Sequence, residues 1–290
     1  KDLSEWADVI HYQFPWPFAD ILALTRQSSS KPYIVSYQSD IVRQHILNKL
    51  YQPLMNKFLD KAASVVATSQ KYIASSVVLS NLEKTAVFIP NGIDKELNSD
   101  SYQKEKKEYE KLYGQNFFLF LGVFRYYKGL NYLLKAAQQT GLEVVIGGDG
   151  SEAEKLCQYV QEHDLTNVHF LGYVTEQQKH ALIELSIALI LPSSERSEAY
   201  GMVLLEAARQ GTPMISTELG SGTSYINAHN ETGLVISAKN SVQLAAAMQE
   251  MTENEDMVKS MSISAKKRFE NHFTGEIMGK RYAELYHSIL

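Results

Sequence analysis

Ten short apolar runs, most of them rich in β-branched residues, alternate with longer stretches of helical period, and this rhythm constrains the chain more than any other feature. The first four are "DVIHY" (8–12), "YIVSY" (33–37), "SVVAT" (64–68) and "TAVFI" (85–89). Six more follow: "FFLFLGV" (117–123), "EVVIGG" (143–148), "VHFLG" (168–172), "IALILP" (187–192), "PMIST" (213–217) and "GLVIS" (233–237). Runs that are apolar throughout suit strands covered on both faces, and helices between them supply that cover. The expected fold class is α/β, with parallel, doubly wound sheets. The rhythm breaks once, at "NSDSYQKEKKEYEKLYGQN" (98–116), which is charged, almost free of large aliphatics, and reads as a polar linker or an exposed helix. It divides the chain into a unit over 1–97 and a unit over 117–272.

Composition narrows the function classes. With 290 residues and 44% hydrophobic content, the chain can bury one large core or two ordinary ones. The net charge of −5, with acids and bases interspersed, argues against nucleic acid and makes any anion site local. A single cysteine, Cys157, excludes an internal disulfide and fits a reducing compartment, so a cytoplasmic location is expected. No apolar run approaches the ~18 residues of a membrane span, and "KDLSEWADVIHY" lacks the basic start and apolar run of a signal peptide. A soluble chain, at most peripheral at a membrane, is expected.

Ligands of such sheets bind beyond the carboxyl ends of the strands, and three loops there carry unusual residues. "FRYYKGLNYLLKAA" sets Arg125 and Lys128 at the entrance of a helix, where the dipole disfavours cations; either both are solvated surface bases or both approach an anion. "IGGDGSEAEKL" places Gly147, Gly148 and Gly150 before a helix that Ser151 is suited to cap; the glycines serve a tight turn or a close ligand. "LPSSERSEAYGMVLLEAARQG" predicts a helix from near Tyr200 to Gly211, with Glu198 ahead of it, Glu206 inside it, and free amides at Gly201, Met202 and Val203 that suit a phosphate. Each glutamate also has an ordinary reading, as an acid at a helix start or as an exposed helix former.

The pair of glutamates separated by seven residues in "EAYGMVLLEA", followed by "GTPMIST" and "TELGSGTSY", resembles the donor-binding signature of the retaining glycosyltransferases of GT-B fold. "LGVFRYYKGL", "IGGDG", "FLGYV", "IPNGID" and "ETGLVI" fall in that family's order, so the resemblance spans most of the chain. "HYQFPWPFAD", "SDIVRQ" and "ELGSGTSYIN" are most similar to bacterial polysaccharide and lipopolysaccharide mannosyltransferases. The resemblance implies two Rossmann-like domains facing a cleft, with the C-terminal helix 273–290 joined to the first. It implies transfer of a hexose, by preference mannose from GDP-mannose, to a saccharide or lipid-linked saccharide in surface polysaccharide synthesis, with no metal or other cofactor. It further implies front-face displacement, in which the leaving phosphate takes the acceptor proton, so neither glutamate need be a general base.

Carried across residue by residue, the resemblance gives Glu198 the transferred sugar and Glu206 the ribose. The amides from Gly201 to Val203, beside Tyr200, hold the pyrophosphate, and Arg125 and Lys128 neutralise the leaving diphosphate. The loop glycine Gly122 and the stretch Gly172, Tyr173 and Val174 meet the nucleotide. Many members place an arginine right after the loop glycine; here Val123 stands there, and Arg125 is a shifted substitute. On the acceptor side His11 and Asp40 match, although His11 also reads as an ordinary packed histidine, while Gln38 replaces a histidine and Gln13 looks like a second such replacement. Glutamine donates a hydrogen bond but carries no charge. Family members open with a glycine-rich turn and further strand–helix units before the equivalent of "DVIHY", so the first domain is expected to be incomplete and transfer by these residues alone to be weak. Two rival classes fit parts of the pattern: a non-catalytic nucleotide-sugar binding or scaffold protein, and another GT-B enzyme, such as one using a UDP-sugar.

Overall fold

A computed structural model describes residues 6–24, 31–41, 45–97 and 99–290, with only the backbone described at 45–49 and at 99. Asn98, the first residue of the polar tract, and Val42 to Gln44 of "SDIVRQ" lie outside the described residues. Among the described residues there are two parallel sheets. The first contains β1 (Ile10–Phe14), β2 (Tyr33–Tyr37), β3 (Ser64–Ala67) and β4 (Val87–Phe88), side by side in that order. The second contains β5 (Phe118–Leu121), β6 (Val144–Gly147), β7 (Val168–Gly172), β8 (Ala188–Leu191), β9 (Met214–Glu218) and β10 (Gly233–Ser237), in the spatial order β10-β9-β8-β5-β6-β7. All ten runs read from the sequence are strands. Every residue of β2, β5, β6 and β8 is buried, as expected of strands covered on both faces.

The second sheet's order positions the site. The chain winds outward from β5 to β7, then returns to the other side of β5 to lay down β8, β9 and β10. Between β5 and β8 the winding reverses, and the loops leaving these neighbours diverge to opposite faces, opening a crevice at their carboxyl ends. The loop after β5 carries Lys128 and the loop after β8 carries Glu198.

Two separate cores support two units. One gathers Phe14, Tyr33, Val35, Tyr37, Phe58 and Tyr72; the other is larger and centres on Phe117 to Leu121 and the strands beside them. The tract 98–116, read as a polar linker or an exposed helix, contains a short 3-10 turn and the helix Gln103–Tyr113, of which only Tyr109 is buried. Its Tyr102 and Tyr109 are buried in the larger core, with Tyr113 packed against it. Spacings of seven and four place these tyrosines on one helical stripe, so the tract packs as part of the second unit while its charges face outward.

The chain passes between the units at one place in both directions. Ile93 N–H donates to Phe273 O at 3.0 Å and Gly275 N–H donates to Ile93 O at 2.8 Å. Beyond that crossing the helix Gly275–Ile289 lies against the first sheet, where the Tyr282 hydroxyl meets Ser36 Oγ at 2.7 Å. The carboxyl ends of the two sheets face each other. Across the gap Tyr200 OH donates to Asn91 O at 3.0 Å, Ser75 Oγ donates to Gly220 O at 2.5 Å, and Lys71 pairs with Glu218 at 2.9 Å.

Candidate functional site

Two glycines fix how the loops at the switch point pack. Gly129 has φ +71°, and a Cβ there would stand 1.9 Å from the Pro192 carbonyl oxygen. Only a residue without a side chain lets the loops after β5 and β8 touch. Ser194 N–H then donates to Tyr127 O at 2.7 Å, locking the loops together. At Gly148, with φ +135°, an added Cβ would stand 1.9 Å from the Gly122 carbonyl oxygen, so the loops after β5 and β6 also meet only through a glycine. Gly148 thus serves loop-to-loop packing, and with Gly147 it also lines the cleft that Glu206 faces. Ser151 is not the helix cap: the helix Ala153–Glu162 starts after Glu152, and Ser151 Oγ instead donates to Phe124 O at 3.5 Å.

At that junction Lys128 Nζ donates to Glu198 Oε2 at 2.6 Å, and Ser193 Oγ donates to the same oxygen at 3.0 Å. The Lys128 and Glu198 side chains are 14% and 9% exposed, so the pair is largely desolvated. Three residues after Glu198, Gly201 at φ +83° starts the helix Met202–Gln210, which stops at Gly211 in the left-handed conformation, close to the predicted bounds. The amides of its first turn lack intrahelical acceptors, and the positive end of the helix lies three residues beyond Glu198 of the Lys128–Glu198 pair. Glu206 is the fifth helical residue, about 6 Å further along the axis.

Glu206 faces a cleft of about 450 Å³ lined also by Gly122, Val123, Gly147, Gly148, Asp149, Tyr173, Val174, Lys179 and Val203. Sequence reasoning missed Lys179. Its Nζ donates to Glu206 Oε1 at 2.7 Å and pairs with Glu176 at 2.8 Å. Burial opposes the charge on Lys179, yet the hydrogen bonds to both carboxylates outweigh it, and its pKa lies above the usual lysine value. A lysine near the start of a helix runs against the dipole, the signal that singled out Arg125 and Lys128.

The remaining expected residues divide. Gly122, Tyr173, Val174, Val203 and Glu206 come together in the cleft, whereas the Gly172 carbonyl accepts from Gly148 N–H at 2.7 Å. Tyr200 is buried under the helix start with its hydroxyl on Asn91, and Asn91 Nδ2 lies 3.9 Å from Met202 Sδ. Arg125 is not brought to Glu198: it is exposed and lines a separate hollow with Glu152, Lys155, Glu195 and Lys239. On the first unit, Gln38 Nε2 donates to Gln13 Oε1 at 3.2 Å, and Gln13 Nε2 donates to His11 Nε2 at 3.3 Å. His11 Nε2 therefore accepts, leaving Nδ1–H to donate to Tyr286 OH at 2.8 Å. Burial lowers the His11 pKa, which favours this neutral ring. Asp40 accepts at Oδ1 from Tyr37 OH and Ser76 Oγ, and at Oδ2 from Arg196, a second residue the sequence reading missed.

Among the described residues no helix is long and apolar enough to cross a membrane, and no group of three or more His, Cys, Asp or Glu is placed to hold a metal.

Comparison with known proteins places this arrangement. Residues 101–268 match the family described as "Glycosyl transferases group 1", and residues 3–97 match "Glycosyltransferase Family 4". The chain is 43% identical over 274 residues to the D-rhamnosyltransferase WbpZ of Pseudomonas aeruginosa, covering 94% of this chain and 72% of that one. It is 40% identical over 291 residues to the O-antigen chain mannosyltransferase C of Escherichia coli, covering 100% of this chain and 78% of that one. Among solved structures, Anabaena Alr3699/HepE in complex with UDP superposes with a TM-score of 0.85 at 18% identity, over 99% of this chain and 80% of that one. That likeness shows the fold, two Rossmann-like units of GT-B type. The chain belongs to the group 1 glycosyl transferases.

Proposed function

We propose that the chain is a retaining hexosyltransferase that moves mannose from GDP-mannose to a saccharide of a growing surface polysaccharide. The observation that carries this reading is the desolvated Lys128–Glu198 pair at the β5/β8 switch point, followed three residues later by a helix whose first-turn amides are free and whose Glu206 faces the cleft. A nucleoside diphosphate sugar presents, in order, hydroxyls, a diphosphate and a ribose diol. Glu198 accepts from the sugar hydroxyls, the amides of Gly201 to Val203 and the Lys128 ammonium meet the diphosphate, and Glu206 accepts from the ribose. The mannose and O-antigen assignments draw support from the relative named O-antigen chain mannosyltransferase C.

In the reaction the bond from the anomeric carbon to the diphosphate oxygen breaks. The acceptor oxygen bonds to that carbon from the same face, and its proton passes to the leaving diphosphate. Charge grows on the diphosphate, and fixed positive groups aimed there lower the barrier without a metal. On this reading a chelator leaves the rate unchanged. A lipid-linked acceptor would bring the chain to a membrane surface as a peripheral protein.

The test is a panel of GDP, UDP and ADP read by thermal shift and calorimetry, followed by transfer from radiolabelled GDP-mannose to saccharide acceptors. Selective binding of GDP with retention at the new linkage is expected. Selective binding of UDP would sink the donor assignment, and an inverted product would sink the mechanism.

A further inference from the structure

Arg196 stands two residues before Glu198 in the loop after β8, and its guanidinium is engaged far from its own loop. Nη2 donates to Asp40 Oδ2 at 3.1 Å. Nη1 donates to Ser75 Oγ at 2.9 Å and to the carbonyls of Leu219 and Gly220 at 3.2 Å each. The guanidinium carbon lies 5.1 Å from the centre of the Tyr72 ring. One planar group therefore ties the loops after β8 and β9 of the second unit to the Asp40 loop and the helix Gln70–Ser75 of the first.

Its partner is fixed in turn. Asp40 Oδ1 accepts from Tyr37 OH at 3.0 Å and from Ser76 Oγ at 2.6 Å, and the Asp40 amide donates to Tyr72 OH at 2.5 Å. Three donors on its two oxygens hold the Asp40 carboxylate in one geometry. A guanidinium spreads its donors in a rigid fork, so it reaches a carboxylate, a hydroxyl and two carbonyls at once; a lysine ammonium does not.

We propose that Arg196 is a positioning residue for transfer: it fixes the loop carrying Glu198 against the Asp40 loop, and so sets the distance between the donor sugar and the acceptor side of the cleft. This rests on the reading of the chain as a sugar transferase. Lys128, Glu206 and the helix amides keep their own contacts without Arg196, so donor affinity and transfer separate in the test.

The variants are Arg196→Ala, Arg196→Lys, Asp40→Asn and the double Arg196→Ala/Asp40→Asn, each in the 290-residue chain with its circular dichroism checked. Arg196→Ala should lower kcat by about 10²-fold, the order expected of a displacement of about 1 Å at the reacting atoms. Its Kd for GDP should stay within about threefold. Arg196→Lys should recover part of kcat, and the double variant should fall no further than Arg196→Ala, because both changes break one linkage. Hydrogen exchange gives a readout free of turnover. Asp40→Asn should speed exchange at residues 193–200 and 219–222, in the other unit, by about tenfold. An unchanged kcat in Arg196→Ala, a double variant losing the product of the single losses, or unaltered exchange in Asp40→Asn would each overturn the proposal. Failure of the unaltered chain to bind any nucleoside diphosphate would instead sink the transferase reading; where it binds GDP but transfers too weakly for kcat to be read, exchange in Asp40→Asn decides whether Arg196 couples the loops.

Discussion

Removing the Glu206 carboxylate tests the donor site most directly. Glu206 is 21% exposed, and its Oε1 accepts from Lys179 at 2.7 Å, which leaves Oε2 to meet a ribose diol. A hydrogen bond to a charged group contributes about 1.5–3 kcal/mol, so Glu206→Ala should weaken nucleoside diphosphate binding by about 12- to 160-fold. The fold should tolerate the change. Lys179 keeps Glu176 at 2.8 Å as a partner, so no ammonium is left alone, and the truncated side chain lines an open cleft, not a packed core. Calorimetric titration of GDP into both proteins measures the loss, and a melting curve without ligand checks that stability has moved by less than about 1 kcal/mol. Affinity within twofold of the parent would remove Glu206 from the nucleotide site and with it the donor alignment along the helix. A large loss of stability would show that the Lys179 linkage is structural and that the loss of binding is secondary.

Lys128→Met should leave the Glu198 carboxylate with Ser193 as its remaining polar partner, costing about 3 kcal/mol in stability, and should slow transfer by about 10²-fold or more; a denaturant melt and a turnover assay read the two effects, and unchanged turnover would separate Lys128 from the leaving group. Lys179→Met should weaken GDP binding by a smaller factor, about three- to tenfold, because Glu206 stays in place but loses the donor that orients it; calorimetry checks this. His180 is buried, and burial followed by the nearby Arg209 and Lys179 charges lowers its pKa to about 4, below an unfolded value of 6.5. The folded state thus binds fewer protons, so stability is full above pH 6.5 and falls toward pH 4 by about 3 kcal/mol; His180→Phe should flatten that slope in melts between about pH 7 and 4, and an unchanged slope would assign it to other groups. Gly129→Ala should destabilise the chain by about 3 kcal/mol or more through its positive φ and the Pro192 contact, which a melting curve reads.

Strand positions and helix ends were legible in the sequence because their causes are local. Apolar runs such as "FFLFLGV" and "IALILP" mark covered strands, and Gly201 and Gly211 bracket a helix because each adopts a left-handed conformation that other residues resist. The loops bearing Lys128 and Glu198 were likewise legible, since the α/β rhythm alone puts them after strands. Tertiary structure decided which side chains meet. Lys128 and Arg125 are equivalent in sequence, three residues apart in one loop, yet Lys128 reaches Glu198 while Arg125 faces another hollow. Lys179 finds Glu206 across 27 residues and Arg196 finds Asp40 across 156, separations over which no periodicity carries information. In the tract 98–116 the helix was legible as one of two readings, but its packed side was not: its inner face is a stripe of three tyrosines, and their burial depends on the second sheet standing behind them. Local chemistry thus set the elements and their order, and the packing of distant loops, which no single stretch encodes, set the pairs at the site.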